Sequence, residues 1–418
     1  MKRQPRHQQR PRTDSSSAEG GLSAGASIEV EIERIVPGGV GLAHAAGHTL
    51  FVTLAAPGDR VRVRVERVRG RVAFATVSEI ITPSPVRIEP PCPYFGRCGG
   101  CDFQQLTYEA QLEAKAEIIR DCLRRIARLE PPADISVMPS PAVWHYRSRA
   151  RWQHDPVRQF FGYYELASHH VCDVIECPVV IPEVQDKLSH LRATLATGEF
   201  GETEEFQAVA GDDGVSLLPP LEAGDADERF RVLAGERYRF DASCFFQINH
   251  ALLEPLLHAA LRHTHDATGS ETAIDLYCGV GLFTLPLARR YARVIGVEGN
   301  ASATAFARLN LADAKLSNAE INTARVGDWL ARHAASLTPV DFLLLDPPRA
   351  GVEDAETLAG ILALRPARIA YVSCDPATLA RDLRALVAGG YTLDSLAAFD
   401  MFPQTHHVET VAHLSVAR

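Results

Sequence analysis

Two segments of the chain carry residue types suited to covalent chemistry. In Ser373-Cys374-Asp375-Pro376 a cysteine follows the apolar run Ile369–Val372 and precedes a helical pattern. A thiol near a helix N-terminus is expected to have a lowered pKa and more thiolate; the alternative is a buried, inert cysteine, the commonest fate of a free thiol. Near the C-terminus, His406-His407-Val408-Glu409-Thr410-Val411 sets two histidines and one acid at the start of a strand pattern. These can titrate, or be ordinary surface groups. A third segment, Cys92-Pro93-Tyr94-Phe95-Gly96-Arg97-Cys98-Gly99-Gly100-Cys101, brings three thiols together around a glycine-rich turn. Sulfur-rich sites of this kind hold zinc or an iron–sulfur cluster. A fourth ligand is needed, and Cys172 and Cys177 are the candidates. Three close thiols without a metal would invite oxidation.

Three further segments end strands with residues that suit a ligand. Ala273-Ile274-Asp275-Leu276 is followed by Tyr277-Cys278-Gly279-Val280-Gly281 and then Thr284. This reads as a strand, a glycine turn and a helix start. A dinucleotide fingerprint needs Gly or Ala where Thr284 stands, so a pyrophosphate ligand is disfavoured. The run Val294-Ile295-Gly296-Val297 ends in Glu298, where an acid can hold a ribose diol. Together these fit S-adenosylmethionine (SAM), which has a ribose and an adenine but no phosphate. The apolar run Phe342–Leu345 ends in Asp346-Pro347-Pro348-Arg349. Amino-methylating enzymes place an aromatic residue where Arg349 stands, so that chemistry is disfavoured.

The elements that position these residues follow from periodicity. From about residue 241, strand-like runs alternate with helical patterns, which predicts a parallel sheet with covering helices. Residues 107–129 carry Leu112, Ala116, Ile119 and Leu123 at helical spacing, with Thr107 as a cap. Residues 27–82 alternate as short strands between turn signals, which suggests a small barrel. There Arg60, Arg62 and Arg64 alternate with Val61, Val63 and Val65, and Arg67, Arg69 and Arg71 continue the basic run. An RNA-facing stripe is expected; a solvated edge strand is the plainer alternative. Residues 1–26 are basic and Ser-rich. Disorder is expected there, and the composition also fits an organelle transit peptide.

Composition sets limits. The chain has 418 residues, 46% apolar and 23% charged, which excludes collagen-like, coiled-coil and fully disordered classes. The net charge of -9 is unfavourable to a polyanionic partner at face value. It is uneven, however: residues 1–82 carry 12 Lys and Arg against 8 Asp and Glu. The acid load falls later, as in the group Glu202, Glu204, Glu205, Asp212 and Asp213. Nine cysteines, an odd number, and no secretory core argue against a disulfide framework. No run approaches a membrane span.

Taken together, these segments resemble the RNA uracil-C5 methyltransferase family, in its iron–sulfur, ribosomal-RNA-modifying branch. The resemblance covers nearly all of residues 27–418. It implies an α/β fold: a Rossmann-like SAM-dependent methyltransferase domain at 241–418, an N-terminal TRAM or OB-like barrel at 27–82, and a central mixed α+β domain at 83–240. Residues 1–26 would be a disordered tail, and the 107–129 helix would pack on the catalytic domain. Cys92, Cys98, Cys101 and, better than Cys172, Cys177 match the ligands of a [4Fe–4S] cluster. SAM residues fall on Gln247, Tyr277, Glu298 and Asp346, with Asp328 near the adenine. Cys374 falls on the nucleophile and Glu409 on the general base. Phe245 would stack on the target base. One departure is Asp375, where the commoner form has Asn.

The resemblance implies SAM-dependent methylation of uridine C5 in RNA, with 23S rRNA the expected target. The protein would be a cytoplasmic monomer without a membrane partner. A tRNA uridine is the alternative, ranked second because tRNA enzymes typically lack the four cysteines and the barrel. A non-catalytic RNA-binding or assembly factor is the remaining class, and intact Cys374 and Glu409 argue against it.

Overall fold

A computed structural model describes residues 22–195, 205–264, 270–337, 339–352 and 354–417. Most of the basic tail, and Glu202 and Glu204, lie outside the described residues.

Six strands come first: β1 (Ser27–Glu31), β2 (Arg34–Val36), β3 (Val40–Ala45), β4 (His48–Thr53), β5 (Arg60–Arg69) and β6 (Val72–Thr82). They form one sheet in the order β1-β5-β6-β4-β3-β2. Val61, Val63 and Val65 turn into its core with Val30, Leu50, Val52 and Ala73, as strand alternation requires. The outward arginines are not an open basic stripe. The β1–β5 register sets Glu29 opposite Arg62, and the β5–β6 register sets Glu79 opposite it on the other side. Glu29 accepts from Arg62 at 2.7 Å and from Arg60 at 3.3 Å, Glu79 pairs with Arg62, and Arg64 pairs with Glu66 at 2.9 Å. Cross-strand pairing therefore neutralises the first half of the run. Basic charge is left near the β5–β6 turn, where Arg67 lies 4.3 Å over the Phe74 ring and Arg69 and Arg71 are exposed.

Helix α1 (Tyr108–Cys122) follows the cysteine-rich turn, with Thr107 Oγ1 accepting from Ala110 N. It is shorter than the 107–129 expected. The chain opens into a wide π-type turn over Leu123–Ala127, and Arg128 takes a left-handed conformation (φ 61°) that ends it. The Leu129 N–H closes back on the Leu123 carbonyl. The helical spacing of apolar residues continues through this turn, which is why the pattern looked longer. Both α1 and the turn pack against a helix of the last third of the chain, α8 below.

Strand β7 (Val137–Met138) precedes a five-stranded sheet in the order β10-β9-β8-β11-β12. Its strands are β8 (Arg149–Asp155), β9 (Phe160–Tyr164), β10 (Val171–Asp173), β11 (Glu205–Ala210) and β12 (Val215–Leu218), and α2 (Pro182–Leu195) covers it. A hairpin of β13 (Arg229–Leu233) and β14 (Glu236–Phe240) and helix α3 (Leu253–Ala260) lead on.

The last sheet has eight strands. Its parallel part is β15 (Thr272–Leu276), β16 (Arg293–Glu298), β17 (Ala319–Thr323), β18 (Phe342–Leu345) and β19 (Arg368–Ser373). Helices α4 (Thr284–Ala288), α5 (Ala301–Asp313), α6 (Val326–His333), α7 (Ala355–Leu364) and α8 (Pro376–Ala388) connect them. Strands β20 (Tyr391–Phe399) and β21 (Glu409–Val416) complete the order β17-β16-β15-β18-β19-β21-β20-β7. Apolar clusters on both faces bury the parallel strands, so Phe342–Leu345 reads as an unbroken apolar run. Two features exceed the sequence expectation. Strand β21 runs antiparallel to β19, and β7, from far upstream, adds a parallel edge strand.

The connection between β20 and β21 is held from outside the sheet. Lys115 of α1 and Asp400 are both fully buried and form an ion pair. Burial alone would depress the lysine pKa, and Asp400 opposes that. Removing one partner of such a pair leaves an unpaired buried charge, which costs about 3–5 kcal/mol. Lys115→Ala should therefore lower stability by about that amount in urea unfolding, and Lys115→Met with Asp400→Leu should recover most of it.

Candidate active site

The site lies at the carboxyl ends of the parallel strands, where β15 and β18 are neighbours and the strand order reverses. Open α/β sheets bind ligands at such a point. Tyr277 follows β15, Glu298 ends β16, Asp346 follows β18, and Cys374 follows β19. With Gln247, Asp328, Glu409 and Phe245 they line one cavity of about 1140 Å³. All eight residues singled out around the reaction thus share a single cavity.

Each is placed by local structure. Tyr277 has φ 65°, a left-handed conformation that is costly for a residue with a Cβ. The Val297 carbonyl holds its N–H at 2.8 Å. Gly281 has φ 91°, and a Cβ there would meet Leu285 at 3.0 Å. Glu298 spans the turn, accepting from Gly279 N at 3.2 Å and Asn300 N at 2.7 Å. Phe246 stacks on Phe240 with centroids 4.4 Å apart and 14° between planes. Its neighbour Phe245 faces the other way, 60% exposed at the cavity rim. The loop after Asp346 is pinned by α8: Arg381 donates to the Ala350 and Val352 carbonyls, and Asp382 accepts from Val352 N. That loop carries Arg349 into the cavity.

The thiol and Glu409 are brought together by register. Ser373 pairs with Thr410 in the antiparallel β19–β21 ladder. One step further along each strand, Cys374 and Glu409 face each other across the same cavity wall. Thr410 Oγ1 donates to the Ser373 carbonyl at 3.0 Å and fixes this register.

The electrostatics differ from the sequence expectation. The Cys374 thiol is not activated by its surroundings; its pKa is pushed up to about 12. Burial is the largest cause, followed by Glu409, with Asp346 and Asp375 adding to it and Arg349 opposing. The favourable helix terminus is outweighed by burial and by carboxylates that β18 and β21 bring beside the thiol. Burial and then Glu298 push Asp346 up to about 7. Glu409 is also held well above the usual carboxylate range, by burial and Asp346, against Arg349. Behind them, burial pushes the Asp275 carboxyl up to about 8 although it accepts from Thr284 Oγ1 at 2.5 Å. Carboxylates thus crowd the thiol on this part of the wall, and a cation bound among these groups would favour their ionised forms.

Asp375 serves as the α8 cap: its Oδ1 accepts from Ala377 N and Thr378 N at 2.9 Å each. Asp does here what Asn would do. The cavity wall also includes Arg147, Arg149, Arg325 and Phe402. No motif marks them, although Phe402-Pro403 just before the His-Val-Glu segment was a visible aromatic signal.

A second cavity, of about 80 Å³, is ringed by Cys92, Cys98, Cys101 and Cys177 with Gln104, Arg147 and Tyr163. Cys172 is fully buried in β10 and is not part of its wall. Burial pushes Cys98 up to about 12 and Cys101 higher still, and it raises Cys92 as well. Among the described residues, no group of three or more His, Cys, Asp or Glu side chains is placed to hold a metal ion. Nor is any helix among them long and apolar enough to cross a membrane.

Residues 225–416 match the tRNA (Uracil-5-)-methyltransferase family, and residues 28–86 match the TRAM domain of tRNA (uracil(54)-C(5))-methyltransferase. An uncharacterized RNA methyltransferase of Thermosynechococcus vestitus is 35% identical over 94% of this chain and 99% of its own. The 23S rRNA (uracil(1939)-C(5))-methyltransferase RlmD of Pectobacterium atrosepticum is 33% identical over 92% of this chain and 93% of its own. This chain belongs to the RNA uracil-C5 methyltransferase family. Among solved structures, the Pyrococcus abyssi tRNA (uracil-54, C5)-methyltransferase in complex with S-adenosyl-L-homocysteine aligns with a TM-score of 0.70 and 26% identity, covering 92% of this chain and 99% of that one. The family's SAM-dependent fold and N-terminal TRAM domain are thus both present. The barrel does not separate rRNA from tRNA enzymes, contrary to the sequence expectation, because the TRAM domain matched is that of a tRNA enzyme.

The cap at Asp375 gives a direct check. Asp375→Asn should change stability by less than about 0.5 kcal/mol, and Asp375→Ala should cost about 1 kcal/mol, read from thermal or denaturant unfolding.

Proposed function

We propose that the protein methylates C5 of a uridine in 23S rRNA through a covalent adduct at Cys374, with Glu409 as the base. The observation that carries this is a thiol and a buried carboxylate on one cavity wall, each next to the Ser373–Thr410 pair of the β19–β21 ladder. SAM, when bound, supplies an electrophilic methyl group. Glu298 suits its ribose diol, Asp346 and Gln247 its amino-acid end or the uracil edge, and Asp328 its adenine.

Uracil C5 is a weak nucleophile. Cys374 loses its proton, with the Asp346 carboxylate as a nearby acceptor, and its Sγ bonds to C6. The C5=C6 electron pair moves into the ring, giving an enolate whose C5 is nucleophilic. C5 takes the methyl group, and the bonding pair of the broken S–CH3 bond stays on the donor sulfur. Glu409 then removes the C5 proton, the C5–H pair re-forms C5=C6, and Sγ leaves as thiolate. The uracil must be extruded from its stack to reach Cys374, and the exposed Phe245 ring at the rim suits a stacking role.

The four-cysteine cavity fits a [4Fe–4S] cluster held by Cys92, Cys98, Cys101 and Cys177. Four half-buried thiols line this one small cavity, and the buried Gln104 Oε1 lacks a partner. A cluster spreads its sulfur ligands around a cube, whereas a single ion needs donors converging on one point. The group would supply folding energy to this segment. We further assign the units as tail 1–26, barrel 27–82, cluster-bearing segment 83–240 and catalytic segment 241–418, in a monomeric cytoplasmic enzyme. The Pyrococcus structure favours a tRNA uridine as a second target. Mapping 5-methyluridine in rRNA and tRNA with and without the gene decides between them.

RNA bearing 5-fluorouridine has no removable C5 proton, so incubation with SAM should trap a covalent complex that Cys374→Ser abolishes. No complex with the wild type would sink the mechanism. Anaerobically prepared protein should contain about four iron and four sulfide per chain; zinc alone would refute the cluster.

A further inference from the structure

The connection from Phe399 to Glu409 is nine residues long, well beyond the 2–5 usual between paired antiparallel strands. It has no regular structure, yet it delivers Phe402 to the cavity wall and Glu409 opposite Cys374. Its anchors come from residues 102–146. Lys115 pairs with Asp400 and donates to the Phe402 carbonyl at 3.0 Å. The Tyr146 hydroxyl donates to the Pro403 carbonyl at 2.9 Å. Gln111 bonds Gln404 reciprocally, accepting from its backbone N–H at 2.9 Å and donating to its Oε1 at 3.0 Å. The Gln404 carbonyl accepts the N–H groups of Asp102 and Phe103 at 3.1 and 3.0 Å. The Asp102 carboxylate accepts from His406 N at 2.8 Å and pairs with its ring.

Tyr108, Gln111 and Lys115 recur at helical spacing on one face of α1, and Tyr108 also meets Asp400. Asp102 directly follows Cys101, a wall residue of the four-cysteine cavity. The cysteine-rich turn and one face of α1 therefore form a template against which the loop is cast. Within its own sheet, Glu409 is held only by the ladder that starts at it.

We infer that this template positions the catalytic base: Asp102 and Gln111 are positioning residues for removal of the C5 proton. This rests on Glu409 being the base. A displaced base leaves Sγ addition and methyl transfer intact but delays the loss of the C5 proton, the pair that re-forms C5=C6, and the departure of Sγ.

The test uses the full chain with its metal centre, SAM and ordinary uridine RNA. Glu409→Gln is the benchmark, expected to accumulate a methylated RNA–protein adduct that survives denaturation. Asp102→Asn and Gln111→Leu should accumulate the same adduct, with turnover down on the order of 10- to 100-fold. Their adduct formation on 5-fluorouridine RNA should stay near wild type. Hydrogen exchange over residues 400–408 should quicken in both variants, and iron content should match the wild type. Parallel loss of adduct formation and turnover, unchanged turnover, or unchanged exchange would overturn the inference. Absence of any Cys374 adduct in the wild type and in Glu409→Gln would instead overturn the assignment of nucleophile and base.

Discussion

The antiparallel pairing of β21 with β19 is the contact on which the site depends. It brings residues 35 positions apart in sequence, Cys374 and Glu409, to facing places at one end of a ladder. A slip of one residue would turn Glu409 to the other face of the sheet. Hydrogen bonding between Thr410 and Ser373 holds the register, and the buried apolar faces of both strands leave no alternative pairing. The parallel strands then place Tyr277, Glu298 and Asp346 on the same rim as a consequence of topology.

Charge is the second constraint. Around the thiol the cavity gathers Glu298, Asp346 and Glu409, and Arg349 is the arginine that offsets them at Cys374 and Glu409. Burial and mutual repulsion keep Asp346, Glu409 and Cys374 toward their protonated forms. A sulfonium beside them would add positive charge that favours ionisation, whereas the neutral thioether left after methyl transfer would not. Cofactor charge and thiol ionisation are therefore linked in direction, and the acid excess that made the whole chain negative has a use at its centre. The barrel shows the opposite case: half of its arginine run is consumed by Glu29, Glu66 and Glu79, so a count of basic residues overstated the charge available to RNA.

Much of the site was legible in the chain. Strand ends marked by Glu298, Asp346 and Cys374, and the glycine turn at Gly279–Gly281, are local signals, because each needs only a short apolar run and the residue that stops it. The shorter α1 was not legible, since a wide turn keeps the spacing of a helix. Nor was the raised Cys374 pKa, since a local rule about helix termini cannot count burial or the carboxylates arriving from two other strands.

By itself the sequence determined the alternating strand and helix order, the family, and the residue types that face a reaction, because these rest on periodicity and short motifs. The tertiary structure alone decided that the thiol is buried among carboxylates, that the wide turn ends α1 early, and that α1 casts the loop before Glu409. Those are contacts between segments as much as 293 residues apart, set by strand register and burial, and no local pattern encodes them.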